Sequence, residues 1–109
     1  MSFNNRVQSA VEKQLEYHYS DMPHEMRLNM CLDGLAEETG EVLGLQKRRL
    51  RGYSKDLEKA TNRNFKLELG DVLWYLTACC ALLGTSLDEI WEMNCEKIQE
   101  RYGETFDER

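Results

Sequence analysis

The fold of this chain is decided by the stretch LELGDVLWYLTACCALL, which spans residues 67–83. Counted at the helical period of about 100° per residue, its apolar side chains point in nearly every direction. A helix of this kind is normally buried on all sides. Because the rest of so short a chain offers few helices to cover it, we expect a second subunit to complete the burial. The alternative is a central helix wrapped within a monomer.

Acidic residues interrupt this apolar helix at Glu68 and Asp71, and the same spacing occurs earlier at Glu38 and Glu41. In each pair the first acid falls within the apolar stripe and the second lies at its edge. Residues three apart on a helix are neighbours, so each pair presents two carboxylates together. Buried carboxylates are nearly always paired or bound to a metal, because leaving them unpaired is costly. The pattern therefore predicts a magnesium or manganese site between two helices of a bundle.

The remaining sequence predicts an all-α, four-helix bundle-like fold in a single domain over residues 1–109. The chain has one proline, Pro23, and no strand-like alternation. Asp21 is a candidate cap for the helix that begins near Pro23, and Ser86 with Glu89 forms a capping box for the last helix. Residues 53–64 are polar and their structure is unclear. The helices are expected at about residues 5–19, 24–50, 63–83 and 87–102, with flexible ends at 1–4 and 103–109.

Composition excludes several classes of function. The net charge of −6 argues against a nucleic-acid-binding surface, which needs clustered positive charge. The four cysteines, Cys31, Cys79, Cys80 and Cys95, have no zinc or redox spacing and read as reduced core thiols. The N-terminus lacks a signal-peptide pattern, and the longest apolar run is too short to span a bilayer. We therefore expect a cytoplasmic protein with neither a nucleic-acid nor a membrane partner.

The acids indicate which ligands the site takes. Oxygen donors suit a hard cation that keeps several waters and is completed by substrate phosphates. Neither acid pair carries the histidine expected of a di-iron bundle. Lys97 and Arg101 share the apolar side of the last helix and are candidates to bind phosphate, or are solvated side chains at its edge. Arg48, two turns beyond Glu41, is the best phosphate candidate in a basic run that otherwise suits a helix C-terminus. Glu37 is either a peripheral ligand or a solvent-facing residue.

Three stretches resemble one known family. Residues 34–42, GLAEETGEV, are similar to the EExxE helix of the MazG-like nucleotide pyrophosphohydrolases, and residues 68–75, ELGDVLWY, are similar to their ExxD helix. Residues 94–102, NCEKIQERY, resemble the Asn/Lys/Arg ending of that family. The motifs occur in the same order, and the resemblance covers most of the chain, from about residue 28 to residue 102.

The resemblance implies an all-α, magnesium-dependent enzyme that assembles into homodimers or homotetramers. It implies hydrolysis of a nucleoside triphosphate to the monophosphate and pyrophosphate, in the service of nucleotide-pool house-cleaning, with manganese as a substitute ion. By motif match, Glu38 and Glu41 are the catalytic candidates. The implied metal ligands are Glu38, Glu41, Glu68 and Asp71, and the implied phosphate-binding residues are Asn94, Lys97 and Arg101.

Other functions stay open at this point. Within the same superfamily the substrate could instead be dUTP or phosphoribosyl-ATP. Outside it, the chain could be a helical interaction module without turnover, although such a module has no reason to retain four clustered acids. The base and sugar are not readable from the sequence. The aromatic residues that could stack on a base are Tyr17, Tyr19, Tyr53 and Trp74.

Overall fold

The computed structural model describes residues 2–103 and is all-helical over that range, which confirms the predicted fold class. Met1 and residues 104–109 lie outside the described residues, so most of the predicted flexible C-terminal end lies there too. There are five helices rather than four over residues 2–103: α1 (Phe3–Tyr19), α2 (His24–Arg51), α3 (Ser54–Lys59), α4 (Asn62–Leu82) and α5 (Leu87–Tyr102).

The helix ends follow local capping chemistry. Ser2, Thr61 and Ser86 each accept a hydrogen bond from a backbone N–H in the first turn of the helix they cap, which satisfies a donor that the helix leaves free. Gly52 ends α2 in the left-handed conformation, with φ of 74°, where glycine carries no Cβ penalty. The prediction that Asp21 caps α2 is wrong, because Pro23 occupies the N-cap position and no side chain caps that end.

The short helix α3 is the element that the sequence left undefined. It folds back on the C-terminal end of α2 through Asp56, which is 6% exposed. The Asp56 carboxylate accepts hydrogen bonds from the guanidinium groups of Arg51, at 2.8 Å, and Arg48, at 3.4 Å. A buried charge is tolerated when such partners surround it. The polar segment between the two acid motifs is therefore held in place by ion pairs rather than by an apolar core.

The core lies where α1, α2 and α4 meet. Its buried members are Val11 and Leu15 from α1, Cys31 from α2, and Ala78 and Cys79 from α4. These side chains are small or medium-sized, and α2 packs more extensively against α4 than any other two helices of residues 2–103 do. This close pairing holds the two acid-bearing helices side by side.

Helix α5 stands apart from this core. Together with α4 it is bent by 92° at the intervening break, none of its residues is buried, and it packs mainly on α1. Hydrogen bonds join α1 to the start of α5 and to the residues before it: Asn4 donates to Asp88, and Gln8 donates to the Thr85 carbonyl. The Cα radius of gyration is 17.0 Å, whereas a compact chain of this length would have about 13 Å. The protomer is thus an extended body.

The central helix α4 is not covered on every side by its own protomer. About one turn near its C-terminal end, Thr77 to Cys80, is buried, but Leu67, Leu69 and the C-cap residue Leu83 are exposed by 54%, 53% and 62%. The described chain alone therefore does not wrap the whole of α4. Its covering by a second subunit stays a prediction.

The cysteines and the helix lengths bear on two further expectations. All four cysteines are free thiols, three of them buried and Cys95 partly so. Among residues 2–103 no single helix has the length and apolar character needed to cross a membrane; α4 and α5 meet that criterion only as the sharply bent pair.

Candidate metal centre

The four acids of the two motifs converge where α2 packs against α4. Glu38, Glu68 and Asp71 each offer a carboxylate oxygen, and these three oxygens lie within 4.8 Å of one another. Glu37, Glu38 and Glu41 form a second set that meets the same limit. Glu38 belongs to both sets, so it stands at the centre of a group of five carboxylates, which we call the acid cluster: Glu37, Glu38, Glu41, Glu68 and Asp71.

Two oxygens of the acid cluster are shielded from water without a partner. Glu38 and Glu68 are partly buried residues, and the Oε2 atom of each is buried with no hydrogen bond to the part of the chain that the structure describes. Glu41 and Asp71 are exposed at the rim. Buried oxygens of this kind are normally satisfied, since an unmet acceptor is destabilising. Two such atoms from different helices, in one cluster of acids, fit a group that supplies positive charge.

Crowding of like charges raises proton affinity within the acid cluster. Burial raises the pKa of Glu38 from 4.5 to about 7, and the charges of Glu41, Asp71 and Glu68 act in the same direction. The pKa of Glu68 is also raised, first by a side-chain hydrogen bond with Glu41 and then by burial. Carboxylates that share one site cannot all ionise freely. Without a cation, the Glu38 carboxyl is therefore about half protonated near pH 7.

The donor set defines what kind of ion would fit. All donors are carboxylate oxygens, which are the ligands preferred by magnesium, calcium and manganese. Neither set of oxygens, drawn from residues 2–103, includes a histidine or a cysteine, so zinc and soft metals are poorly served. The residues present therefore fit a hard divalent cation, held by oxygens from both helices.

Aromatic rings line the cavity on one side of the cluster. A cavity of about 310 Å³ is lined by Glu38 and Asp71 together with Tyr19, Trp74 and Tyr75. Trp74 donates its indole N–H to Gln14 on α1, and its ring meets that of Tyr75 edge-on, with centroids 5.1 Å apart. If a cation occupied the acid cluster, this cavity would suit a ligand that is anionic at one end and aromatic at the other.

The predicted phosphate-binding residues are not brought to the acid cluster within one protomer. Asn94 and Lys97 line a separate depression on α5 with Ile90 and Met93, and the residues lining it include no acid. Arg101 is exposed in the last turn of the same helix. Arg48 is joined to Asp56, and Arg49 binds the Ala60 carbonyl and stacks on Phe65. The basic run at the end of α2 thus anchors α3 and the start of α4.

The sequence leaves Glu37 open as a peripheral ligand or a solvent-facing residue; it is exposed, and its carboxylate reaches the acid cluster. The sequence does not single out Tyr75, which lines two cavities beside the cluster. In the sequence, Gly34 is the residue that could have indicated a close neighbour at this point of α2, because a Cβ there would overlap the Tyr75 ring.

Comparison with known proteins identifies the family. The chain is 31% identical to the Gene 37 protein of Mycobacterium phage L5 over 68 residues, which are 62% of this chain and 60% of that protein. The chain thus aligns with well under two thirds of the length of this curated relative. No solved structure matches the chain. The family model for the MazG nucleotide pyrophosphohydrolase domain matches residues 27–106, which include both acid pairs and the whole of α5. The chain therefore belongs to the MazG nucleotide pyrophosphohydrolase family.

Proposed function

We propose that this protein hydrolyses a nucleoside or deoxynucleoside triphosphate to the monophosphate and pyrophosphate, with magnesium as its cofactor. The observation that carries the proposal is the pair of partnerless Oε2 atoms of Glu38 and Glu68, within residues 2–103, in a cluster of carboxylates from two helices. Family membership supports the general reaction. Clearance of surplus or unwanted nucleotides is the role that we propose for it in the cell.

Within this proposal each acid has a distinct task. Glu38, Glu68 and Asp71 hold the ion from both helices, and Glu41 and Glu37 complete the shell from the rim of α2. The bound ion supplies charge neutralisation of the phosphate oxygens and a lowered pKa for a water molecule. Glu38 and Glu41 are the candidates to accept the proton of the attacking water.

The cations on α5 complete the site in this proposal. Asn94, Lys97 and Arg101 bind the anionic phosphates, and Lys97 and Arg101 stabilise the charge that develops as the anhydride bond breaks. Because α5 packs mainly on α1 in its own protomer, we propose that α5 reaches the acid cluster of a second copy in a homodimer or homotetramer. We propose that the exposed residues Leu67 and Leu69 of α4 contribute to that interface.

The reaction is tested by identifying products. The purified protein is incubated with magnesium and each common ribo- and deoxyribonucleoside triphosphate, and the products are separated by anion-exchange chromatography. Equal amounts of monophosphate and pyrophosphate are expected. Release of orthophosphate and a nucleoside diphosphate would show that a different phosphoanhydride bond is cleaved. No turnover of any triphosphate would favour the helical interaction module without turnover. Including dUTP and phosphoribosyl-ATP tests the narrower members of the superfamily.

The shared site is tested by mixing two impaired variants. Glu38→Gln removes an acid and Lys97→Ala removes a cation, so each variant alone is expected to be impaired. If α5 acts on the acid cluster of another copy, subunit exchange between the two variants creates some sites with both groups intact, and activity returns. Size-exclusion chromatography checks that mixed oligomers form. If they form and activity stays at the level of the separate variants, α5 does not act on the acid cluster of another copy.

A further inference from the structure

A second cavity adjoins the acid cluster along the N-terminal half of α2. It has a volume of about 440 Å³ and is lined by Asn29, Met30, Asp33, Glu37 and Tyr75, among others. Glu37 belongs to the acid cluster, so the cavity begins where the metal and phosphates would be held. Asp33 and Asn29 follow one and two turns back along the helix, about 6 Å and about 12 Å from Glu37 along its axis. In the proposed function the phosphates lie at the acid cluster, so this direction leads away from them.

Tyr75 and Met30 form an apolar part of the cavity lining. The Tyr75 ring lies so close to α2 at Gly34 that an added Cβ there would overlap the ring carbons. Glycine therefore allows the ring to lie against the helix, and Met30 adds a flexible apolar side chain one turn away. Aromatic rings and methionine are surfaces on which planar ligands stack.

Two polar side chains that line the cavity are available to hydrogen-bond a ligand. Asn29 and Asp33 are exposed, and neither makes a hydrogen bond or an ion pair through its side chain with another residue in the described range 2–103. An ionised aspartate only accepts hydrogen bonds, whereas the asparagine amide both donates and accepts. Together they present an acceptor beside a donor, one helical turn apart.

We propose that this cavity binds the nucleobase and that Asp33 selects bases with an exocyclic amino group. The inference rests on the proposed function, since it concerns the substrate of the same site. Cytosine and adenine present an amino donor beside a ring-nitrogen acceptor, which matches Asp33 and Asn29. Uracil and hypoxanthine present a carbonyl oxygen at the same place, and that oxygen would face the Asp33 carboxylate without a proton between them. We name the four residues Asn29, Met30, Asp33 and Tyr75 the base site.

Two pairs of nucleotides isolate the amino group. Deoxycytidine and deoxyuridine triphosphate differ only at this edge of the base, and so do ATP and inosine triphosphate. For the wild-type protein, kcat/KM for pyrophosphate release is expected to favour the amino member of each pair by about tenfold, which is the discrimination that one good side-chain–base contact supplies. Ribose 5-triphosphate, which lacks a base, serves as the reference substrate.

The variants assign the preference to a side chain. Asp33→Asn keeps the shape but adds an amide donor that can bind a carbonyl oxygen, so both preference ratios are expected to fall toward one or invert. The matched control is Glu25→Gln, which removes one negative charge at the start of the same helix. Asn29→Leu is expected to raise KM for all four nucleotides relative to the base-free reference.

The outcomes separate this inference from the proposed function. If the wild type releases pyrophosphate but treats both members of each pair alike, the base site is wrong while the function stands. The base site is equally wrong if Asp33→Asn leaves the ratios unchanged, which would favour the neighbouring cavity of Tyr19 and Trp74 as the place of the base. If no substrate yields pyrophosphate, including the base-free one, then the proposed function itself has failed.

Discussion

The α2–α4 pair and helix α5 carry functional motifs of similar clarity but occupy very different environments. The α2–α4 pair packs tightly, contributes three of the five core residues found within residues 2–103 and brings five carboxylates together. Helix α5 has no buried residue, lies against α1 and keeps Asn94 and Lys97 in a separate depression. The acids of two packed helices thus come together within one chain, whereas the Asn94 and Lys97 side chains of the projecting helix lie apart from them.

The largest expected difference concerns turnover. Glu38→Gln and Asp71→Asn each remove one charged ligand from the acid cluster, and we expect pyrophosphate release to fall by at least about 100-fold. The fold should be retained, since each change also relieves repulsion among the acids. Circular dichroism and a pyrophosphate assay check both points. Near wild-type release by either variant would show that the ligands are assigned incorrectly.

A smaller loss of activity is expected from α5. Lys97→Ala should raise KM for the triphosphate and slow turnover by about tenfold, because it removes one charge-assisted contact. Glu96→Ala, the preceding exposed residue on the same helix, is the matched control. Unchanged kinetic constants for the lysine variant would show that Lys97 is a surface cation with no role in substrate binding or turnover.

Magnesium should stabilise the α2–α4 pair, which carries the acid cluster, and not helix α5. An ion that binds the folded state alone raises stability by about 2.7 kcal/mol at 100 times its Kd, so the melting temperature should rise by several degrees in millimolar magnesium. The rise should persist in Lys97→Ala and disappear in Glu68→Gln. Differential scanning fluorimetry with and without a chelator measures it, and a rise of equal size in Glu68→Gln would place the ion elsewhere.

The anchor of α3 tests a structural role without touching the acid cluster. Asp56→Asn removes the charge that Arg51 and Arg48 bind, and we expect a loss of about 2 kcal/mol in the free energy of unfolding. Asp21→Asn, an exposed acid before α2, is the control. Chemical denaturation gives the comparison; equal stabilities for the two variants would mean that Asp56 is dispensable.

A further effect is expected in the pH dependence of the metal-free protein. The pKa of Glu38 is about 7 in the folded state and has its ordinary value of 4.5 when the chain is unfolded. Between these values the folded state holds the proton that the unfolded state has lost, so stability falls as pH rises from about 4.5 to about 7. Glu38→Gln should flatten this slope in melting experiments with a chelator. A wild-type slope of opposite sign would contradict the raised pKa.

Much of the fold was predictable because its signals are local. The cap at Ser86 and the helix formed by the apolar run of α4 depend on residues close together in sequence, and the structure confirms both. The folding of residues 53–64 was not predictable, because α3 is held by the ion pairs of Asp56 with Arg48 and Arg51 rather than by its own hydrophobic pattern.

The candidate site divides in the same way. Helical spacing places Glu38 beside Glu41 and Glu68 beside Asp71, and close packing of the two helices then brings the pairs together. The reach of Glu37 and the position of the Tyr75 ring depend on how the helices pack, which spacing along one helix does not specify. The separation of α5 from the acids depends on the bend after α4, where Gly84 adopts a positive φ of 71°.

The approach of the Tyr75 ring to Gly34 has a consequence for how this sequence can vary. An alanine at position 34 would push the ring away from α2 and reshape both cavities beside the acids. A smaller side chain at position 75 would free position 34 to change but would leave a hole between the helices. Substitutions at these two positions should therefore be accepted only in compensating pairs, and chains that have exchanged both should differ in the nucleotides they accept.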